Sequence, residues 1–322
     1  MVFKVGIIGL GGMGKKMFAD MTSHQMFSVI TVWDPDNQKV KTIEEENINL
    51  CKVTSANDLI FNNKMDLLYI ASPPQHHGEY FNSAIKINTP VFCEKPLGVD
   101  ISESKRLVDQ IKNANLSNIM NFNHGNSLSS SYIEKQVNSG QVGNVTGVNI
   151  FVHLNGWPRE FQKTATWLAH REQGGFTREI LSHWLYLTRR LLGEGSIINA
   201  HVIFPDDGIL SETHLTASLD FGGVPVSIHV TSGSVGPVGT EYTVWGSRTS
   251  YRLRSGGGIS VSDGGEWIKK LSDIENIDVV DRQRSLDGVA SCLKGEYINM
   301  PDAEDGLAVQ MLVENLLSFR LG

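Results

Sequence analysis

Apolar positions in the first third of the chain fall in short unbroken runs, not in alternation. "FKVGIIG" (3–9), "SVITVWD" (28–34), "MDLLYIAS" (65–72), "PVFCEK" (90–95) and "NIMNFN" (118–123) are rich in aliphatic and aromatic side chains. Runs of that length predict strands buried on both faces. Helix-like stretches lie between them: "MGKKMFADM" (13–21), a segment near 76–88, and "ISESKRLVDQIKNA" (101–114). Strand alternating with helix predicts a mostly parallel sheet covered on both sides.

After residue 123 the pattern changes. "VTGVNIFVHL" (145–154), "THLTASLDF" (213–221), "VPVSIHVTS" (224–232) and "TEYTVWG" (240–246) read as strands. In the second of these Leu215, Ala217, Leu219 and Phe221 alternate with polar residues, which gives one buried and one open face. Gly-rich turns, "SGSVGPVG" (232–239) and "SGGGIS" (255–260), separate the later strands. The expected architecture is α/β. A doubly wound parallel sheet of Rossmann type occupies 1–122, and an α+β domain with a large, mostly antiparallel, open-faced sheet occupies 123–322.

Charge and composition narrow the function. Lys+Arg total 28 against 35 Asp+Glu, a net charge of −7, which argues against nucleic acid or an anionic membrane as partner. No apolar run approaches the length of a membrane span, and the N-terminus enters a strand without a leader pattern. Cys51, Cys93 and Cys292 are too widely spaced for a redox or zinc pair. A reduced, cytoplasmic setting is expected.

The chemistry begins with "GLGGMG" (9–14), which fits G-x-G-x-x-G with Gly9, Gly11 and Gly14, followed directly by a helix. Glycines there let the backbone approach a pyrophosphate, which then rests on the helix N-terminus. Gly12 and Met13 complete the turn. Asp34 closes the second strand 20 residues past Gly14, where an acid accepts from an adenosine ribose; "DPDNQKV" equally makes it a helix N-cap. Asp36 beside it would repel a 2′-phosphate, so NAD is expected over NADP. Ser72, Pro73, Glu94, Lys95 and Asn123 fall at strand ends, where such sheets bind ligands.

Taken together, the glycine turn, the acid after the second strand, "ASPPQHH" and "CEKPLG" (93–98) resemble the glucose–fructose oxidoreductase, inositol dehydrogenase and rhizopine-catabolism family (Gfo/Idh/MocA). The resemblance runs nearly end to end and includes "DAEDGLAVQMLVENLLSF" (302–319) as a terminal helix. It implies an NAD(P)-dependent dehydrogenase acting on a sugar, cyclitol or related polyol. Its Glu-Lys-Pro falls on Glu94, Lys95 and Pro96, and its histidine on His77, which lies near the nicotinamide or packs at a helix start. After paired glycines the family carries an acid and, four residues on, a histidine; here these are Glu179, where Asp is usual, and His183. That spacing puts both on one helical face. Asn123 matches a family asparagine, but His124 and Gly125 replace the arginine that often follows.

The implied chemistry assigns Lys95, His183 and Glu179 to catalysis. His183 is the proton acceptor, with an ordinary pKa of about 6.5. Lys95 stabilises charge on the reacting oxygen, and Glu179 either contacts substrate or orients its neighbours. The turn residues, Asp34, Ser72, Pro73, His77, Glu94, Lys95 and Asn123 face the cofactor. Substrate contacts fall on Lys95, Asn123, Trp157, Arg159, Trp167, Arg178, Glu179 and His183. The segment 155–175 is either a substrate cover or a surface connection anchored by its tryptophans. No metal site is expected, because adjacent His76 and His77 lack zinc spacing. A homodimer or homotetramer through the open sheet is implied by the family. Other readings of the same fold are a dihydrodiol or an imine or ene reductase, or an NAD-binding regulator without catalysis.

Overall fold

The computed structural model describes residues 1–47, 49–254, 258–271, 274 and 276–320. The chain divides into two compact units. The first is Met1–Phe122 with Arg282–Ala308, and the second is Asn123–Asp281 with the chain from Val309. The segment 282–308 lies with the first unit although it follows the second along the chain. The reason is apolar burial: Leu286, Val289 and Ala290 share one core cluster with Phe3, Val5, Ile7, Met17, Phe18, Tyr69 and Phe92.

In the first unit, strands β1 (Phe3–Ile8), β2 (Phe27–Trp33), β3 (Leu67–Ile70), β4 (Val91–Glu94) and β5 (Asn118–Asn121) form a parallel sheet in the order β2-β1-β3-β4-β5. Helices α1 (Gly12–Ser23), α2 (Asn37–Glu46), α3 (Ala56–Asn62), α4 (His77–Ile87) and α5 (Ile101–Asn113) connect them. Every residue of β3 and β4 is buried, which is why their runs carry no polar alternation. Helix starts are set by side chains that satisfy free amides: Ser55 caps α3 through Asp58 N–H, and Asp100 caps α5 through Glu103 N–H. The strand order reverses between β1 and β3, so ligand space opens beyond their carboxyl ends.

The second unit carries β6 (Val145–Leu154), β7 (Ser196–Ile203), β8 (His214–Phe221), β9 (Val224–Ser232), β10 (Gly239–Gly246), β11 (Ser250–Arg254), β12 (Gly258–Ser262) and β13 (Ile268–Lys270), with α6 (Leu128–Asn138) and α7 (Ser182–Leu192). Its eight-stranded sheet runs β13-β12-β11-β10-β6-β9-β8-β7. All pairs are antiparallel except β6 with β9. After β6 the chain passes through α7, lays β7 at the far edge and meanders back. As the alternation requires, Leu215, Ala217, Leu219 and Phe221 of β8 are buried. Trp184 of α7 stacks on Tyr242 of β10 at 5.3 Å, and Thr188 Oγ1 lies 3.1 Å from the Tyr242 hydroxyl.

β7, β11, β12 and β13 have no counterpart among the expected strands. β7 and β13 are edges, and β13 is exposed throughout, so ladder hydrogen bonds rather than a buried stripe make them strands. The glycine run at 255–257 lies outside the described residues. Helix α8 (Ile277–Leu293) begins in the second unit and ends in the first, and α9 (Ala303–Ser318) does the reverse. Among the described residues no helix is long and apolar enough to cross a membrane.

Leu286 is 1% exposed. Leu286→Ala should therefore lower the unfolding free energy of the first unit by roughly 2–5 kcal/mol, read by chemical denaturation. An unchanged transition would mean that 282–308 is an appendage to that core.

Candidate active site

The glycine turn is built as its pattern requires. Gly9 has φ +94°, and a Cβ there would lie 2.5 Å from the Ala71 carbonyl oxygen; one on Gly14 would lie 1.8 Å from Gly9 O. These two glycines permit β1, β3 and α1 to approach one another. Gly11 and Gly12 differ, because a Cβ on either meets nothing within 4 Å. The N-cap of α1, Gly11, offers no side-chain acceptor to the helix amides. The first turn of α1 thus presents N–H groups and a positive dipole end over open ground, with half-exposed Met13 beside it, which fits a pyrophosphate.

The helix-cap reading of Asp34 is corrected. The cap of α2 is Asp36, which accepts from Gln38 N–H at 3.0 Å. Asp34, only 5% exposed, accepts from Leu10 N–H at 2.7 Å through one oxygen. Through the other it accepts from Asp36 N–H at 2.9 Å and the Lys39 amine at 3.4 Å. It clasps the glycine turn to the end of β2.

At the ends of β3 and β4 lie Ser72, Pro73, Glu94 and Lys95. Glu94 and Lys95 are both buried, and the Lys95–Pro96 bond is cis. Glu94 Oε1 accepts from the Tyr69 hydroxyl at 2.5 Å and from Asn121 Nδ2 at 2.6 Å, so this oxygen faces the neighbouring strands. Burial, and next the Glu94 charge, push the Tyr69 pKa well above its ordinary value, which keeps the phenol a donor. His77 is fully buried, with Nδ1 2.9 Å from Pro96 O and Nε2 2.9 Å from Ser72 O. Of the two places expected for His77, the structure shows packing at a helix start: it opens α4, and both ring nitrogens meet the chain's own carbonyls instead of facing outward to a cofactor. Burial lowers its pKa to about 4, so the ring is neutral near pH 7.

In the second unit Thr177–Leu181 is a π-helical turn leading into α7. The wider coil alters the simple four-residue repeat expected for Glu179 and His183. Glu179 accepts from Gln162 Nε2 at 3.0 Å and lies 3.9 Å from Arg159 Nη2; Arg159 Nε in turn donates to Gln162 Oε1 at 2.7 Å. His183 Nδ1 accepts from the Asn123 backbone N–H at 3.3 Å. An amide N–H only donates, so Nδ1 carries no proton while this contact holds.

Two expected substrate contacts take structural positions. Arg178, 8% exposed, pairs with both oxygens of Glu314 at 2.6 and 2.7 Å and donates to the carbonyls of Arg171 and Gly174. Four of its five N–H donors are committed within the unit, which places Arg178 as a structural residue instead of a substrate contact. Trp157 Nε1 donates to Leu168 O at 2.8 Å, and its ring meets Phe176 edge-on, so it anchors the 155–175 segment. Trp167 lies half-buried in the short helical turn Thr166–Ala169. Arg159 remains half-exposed.

Tyr69, Asn121 and Gln162 went unnoticed in the sequence. The signal for Tyr69 was available: a phenol inside the aliphatic run "LLYI" needs a buried partner. Among the described residues no three His, Cys, Asp or Glu side chains gather as a metal site requires.

Comparison with known proteins follows the same division. The profile described as "Oxidoreductase family, NAD-binding Rossmann fold" matches residues 3–122, and "Oxidoreductase family, C-terminal alpha/beta domain" matches 134–318. The chain belongs to this family, Gfo/Idh/MocA. A 2,7-anhydro-N-acetylneuraminate hydratase of Escherichia coli is 28% identical over 59% of this chain and 49% of its own length. A levoglucosan dehydrogenase of Pseudarthrobacter phenanthrenivorans is 25% identical over 61% of this chain and 53% of its own. The chain spans about half the length of these curated relatives. An oxidoreductase from Agrobacterium radiobacter, solved with NAD+, L-tartaric acid and magnesium, shares the fold. Its TM-score is 0.83 at 18% identity, covering 98% of this chain and 95% of that one.

Arg178→Ala leaves Glu314 unpaired and should cost about 3 kcal/mol of stability. Calorimetry together with kinetics checks this. A native transition with only a raised substrate KM would return Arg178 to substrate binding.

Proposed function

We propose that the chain is an NAD(H)-dependent oxidoreductase of the secondary alcohols and ketones of sugars, cyclitols or related polyols. The observation that carries the reading is a buried amine, Lys95, at a strand end of the unit that bears the uncapped glycine cradle. Membership of the oxidoreductase family and the relative named a levoglucosan dehydrogenase support it.

In alcohol oxidation a hydride leaves carbon and a proton leaves oxygen. NAD+, when bound, supplies the hydride acceptor, held by the α1 amides and Asp34. Lys95 donates a hydrogen bond to the reacting oxygen and stabilises its negative charge. His183 handles the proton. With Nδ1 accepting from Asn123, the ring offers Nε2–H as a hydrogen-bond donor to the substrate oxygen; the proton delivered in reduction comes from the imidazolium, which carries N–H on both nitrogens and returns to the neutral ring. To act as base in oxidation, the ring must shift the Nε2 proton to Nδ1 and release the amide. Glu179, tied to Gln162 and Arg159, orients its neighbours. The open face of the eight-stranded sheet serves as the subunit contact, and a monomer by light scattering would defeat that assignment.

Asp34 and Asp36 face one amine, Lys39, so the ribose end keeps an excess negative charge. NADH should bind several-fold more tightly than NADPH in fluorescence titrations; the opposite order would refute this preference. Lys95→Ala should leave NAD+ affinity within a few-fold while turnover falls by orders of magnitude. A 340 nm screen with sugars, inositols and diols identifies the substrate for that comparison, and near-normal turnover of the variant removes Lys95 from the mechanism.

A second reading comes from the relative named a hydratase. It is addition of water to a sugar acid with no net change in the cofactor. Product formed without lasting absorbance change at 340 nm would favour it.

A further inference from the structure

Lys95 is bracketed by two restrained neighbours. On one side, Glu94 is held by Tyr69 from β3 and Asn121 from β5. On the other, the carbonyl of Pro96 lies 2.9 Å from His77 Nδ1, while Nε2 of the same ring lies 2.9 Å from Ser72 O. His77 opens α4 and is wholly buried. A neutral imidazole has one N–H, so only one of these contacts is a hydrogen bond; the other sets a lone pair against a carbonyl oxygen. Ser72 lies five residues away in the same connection, so that contact only closes a local loop. Pro96 lies 19 residues away in the next connection, so a bond to it ties the β3–α4 segment to the backbone following the lysine.

We propose that His77 is a positioning residue for Lys95: its Nδ1–H holds the Pro96 carbonyl and thereby sets the backbone from which the lysine projects. This rests on the proposed role of Lys95. It assigns His77 no contact with substrate or cofactor. Misplacing a reacting group by a fraction of an ångström lowers turnover while leaving remote binding intact.

Two variants separate the contacts. In His77→Asn the amide nitrogen overlays Nδ1 and keeps the bond to Pro96. In His77→Gln it overlays Nε2 and keeps only the bond to Ser72. Asparagine should retain kcat within a few-fold, while glutamine should lower it on the order of ten- to a hundredfold with the cofactor KM unchanged. The reverse order, or two variants both like wild type, overturns the proposal. If both are impaired, nitrogen-15 NMR of the unmodified protein decides. A proton on Nδ1 of His77 sustains the assignment, and a proton on Nε2 overturns it. Normal turnover of Lys95→Ala would instead sink the proposed function, while the NMR result would still report which carbonyl His77 holds.

Discussion

A carboxylate removed from water is costly unless its lone pairs find donors, and Glu94 meets that demand across three strands. Its Oε1 accepts from Tyr69 on β3 and Asn121 on β5, while Glu94 itself ends β4. The parallel ladder alone would let these strand ends fray, because its hydrogen bonds stop where the sheet stops. The shared oxygen carries the connection one step further, to the point where Lys95 departs. Much of what the first unit offers chemically is arranged around that restraint.

The same economy of groups governs the glycine turn. Gly9 and Gly14 exist for close approach of β1, β3 and α1, whereas Gly11 and Gly12 leave space that nothing in the chain fills. Asp34 secures the turn from the far side through Leu10 N–H. One carboxylate therefore shapes the cradle from outside it. A motif usually read as ligand-binding is in this respect equally a folding device.

In the second unit the ion pair between buried Arg178 and half-buried Glu314 ties the π-helical turn to α9, and the Trp157 indole holds the long connection before it. With these anchors in place, Glu179 and His183 are left to partners that orient them: Gln162 and Arg159 for the one, the Asn123 amide for the other.

Periodicity and turn chemistry determined the parallel sheet, its glycine cradle and the inward face of β8, because these depend on residues close in sequence or on strict alternation. The family signature carried the candidate lysine, histidine and acid. Other features depended on where distant groups meet. The return of 282–308 to the first core is decided by Leu286, Val289 and Ala290 finding apolar neighbours far up the chain. Arg178 could not be told from a substrate-binding arginine until Glu314, 136 residues later, was seen against it. His77 resembled a cofactor contact because a histidine looks the same in sequence whether its nitrogens face a ligand or two carbonyls of its own chain. Which polar group meets which partner is a long-range property, and only tertiary structure decides it.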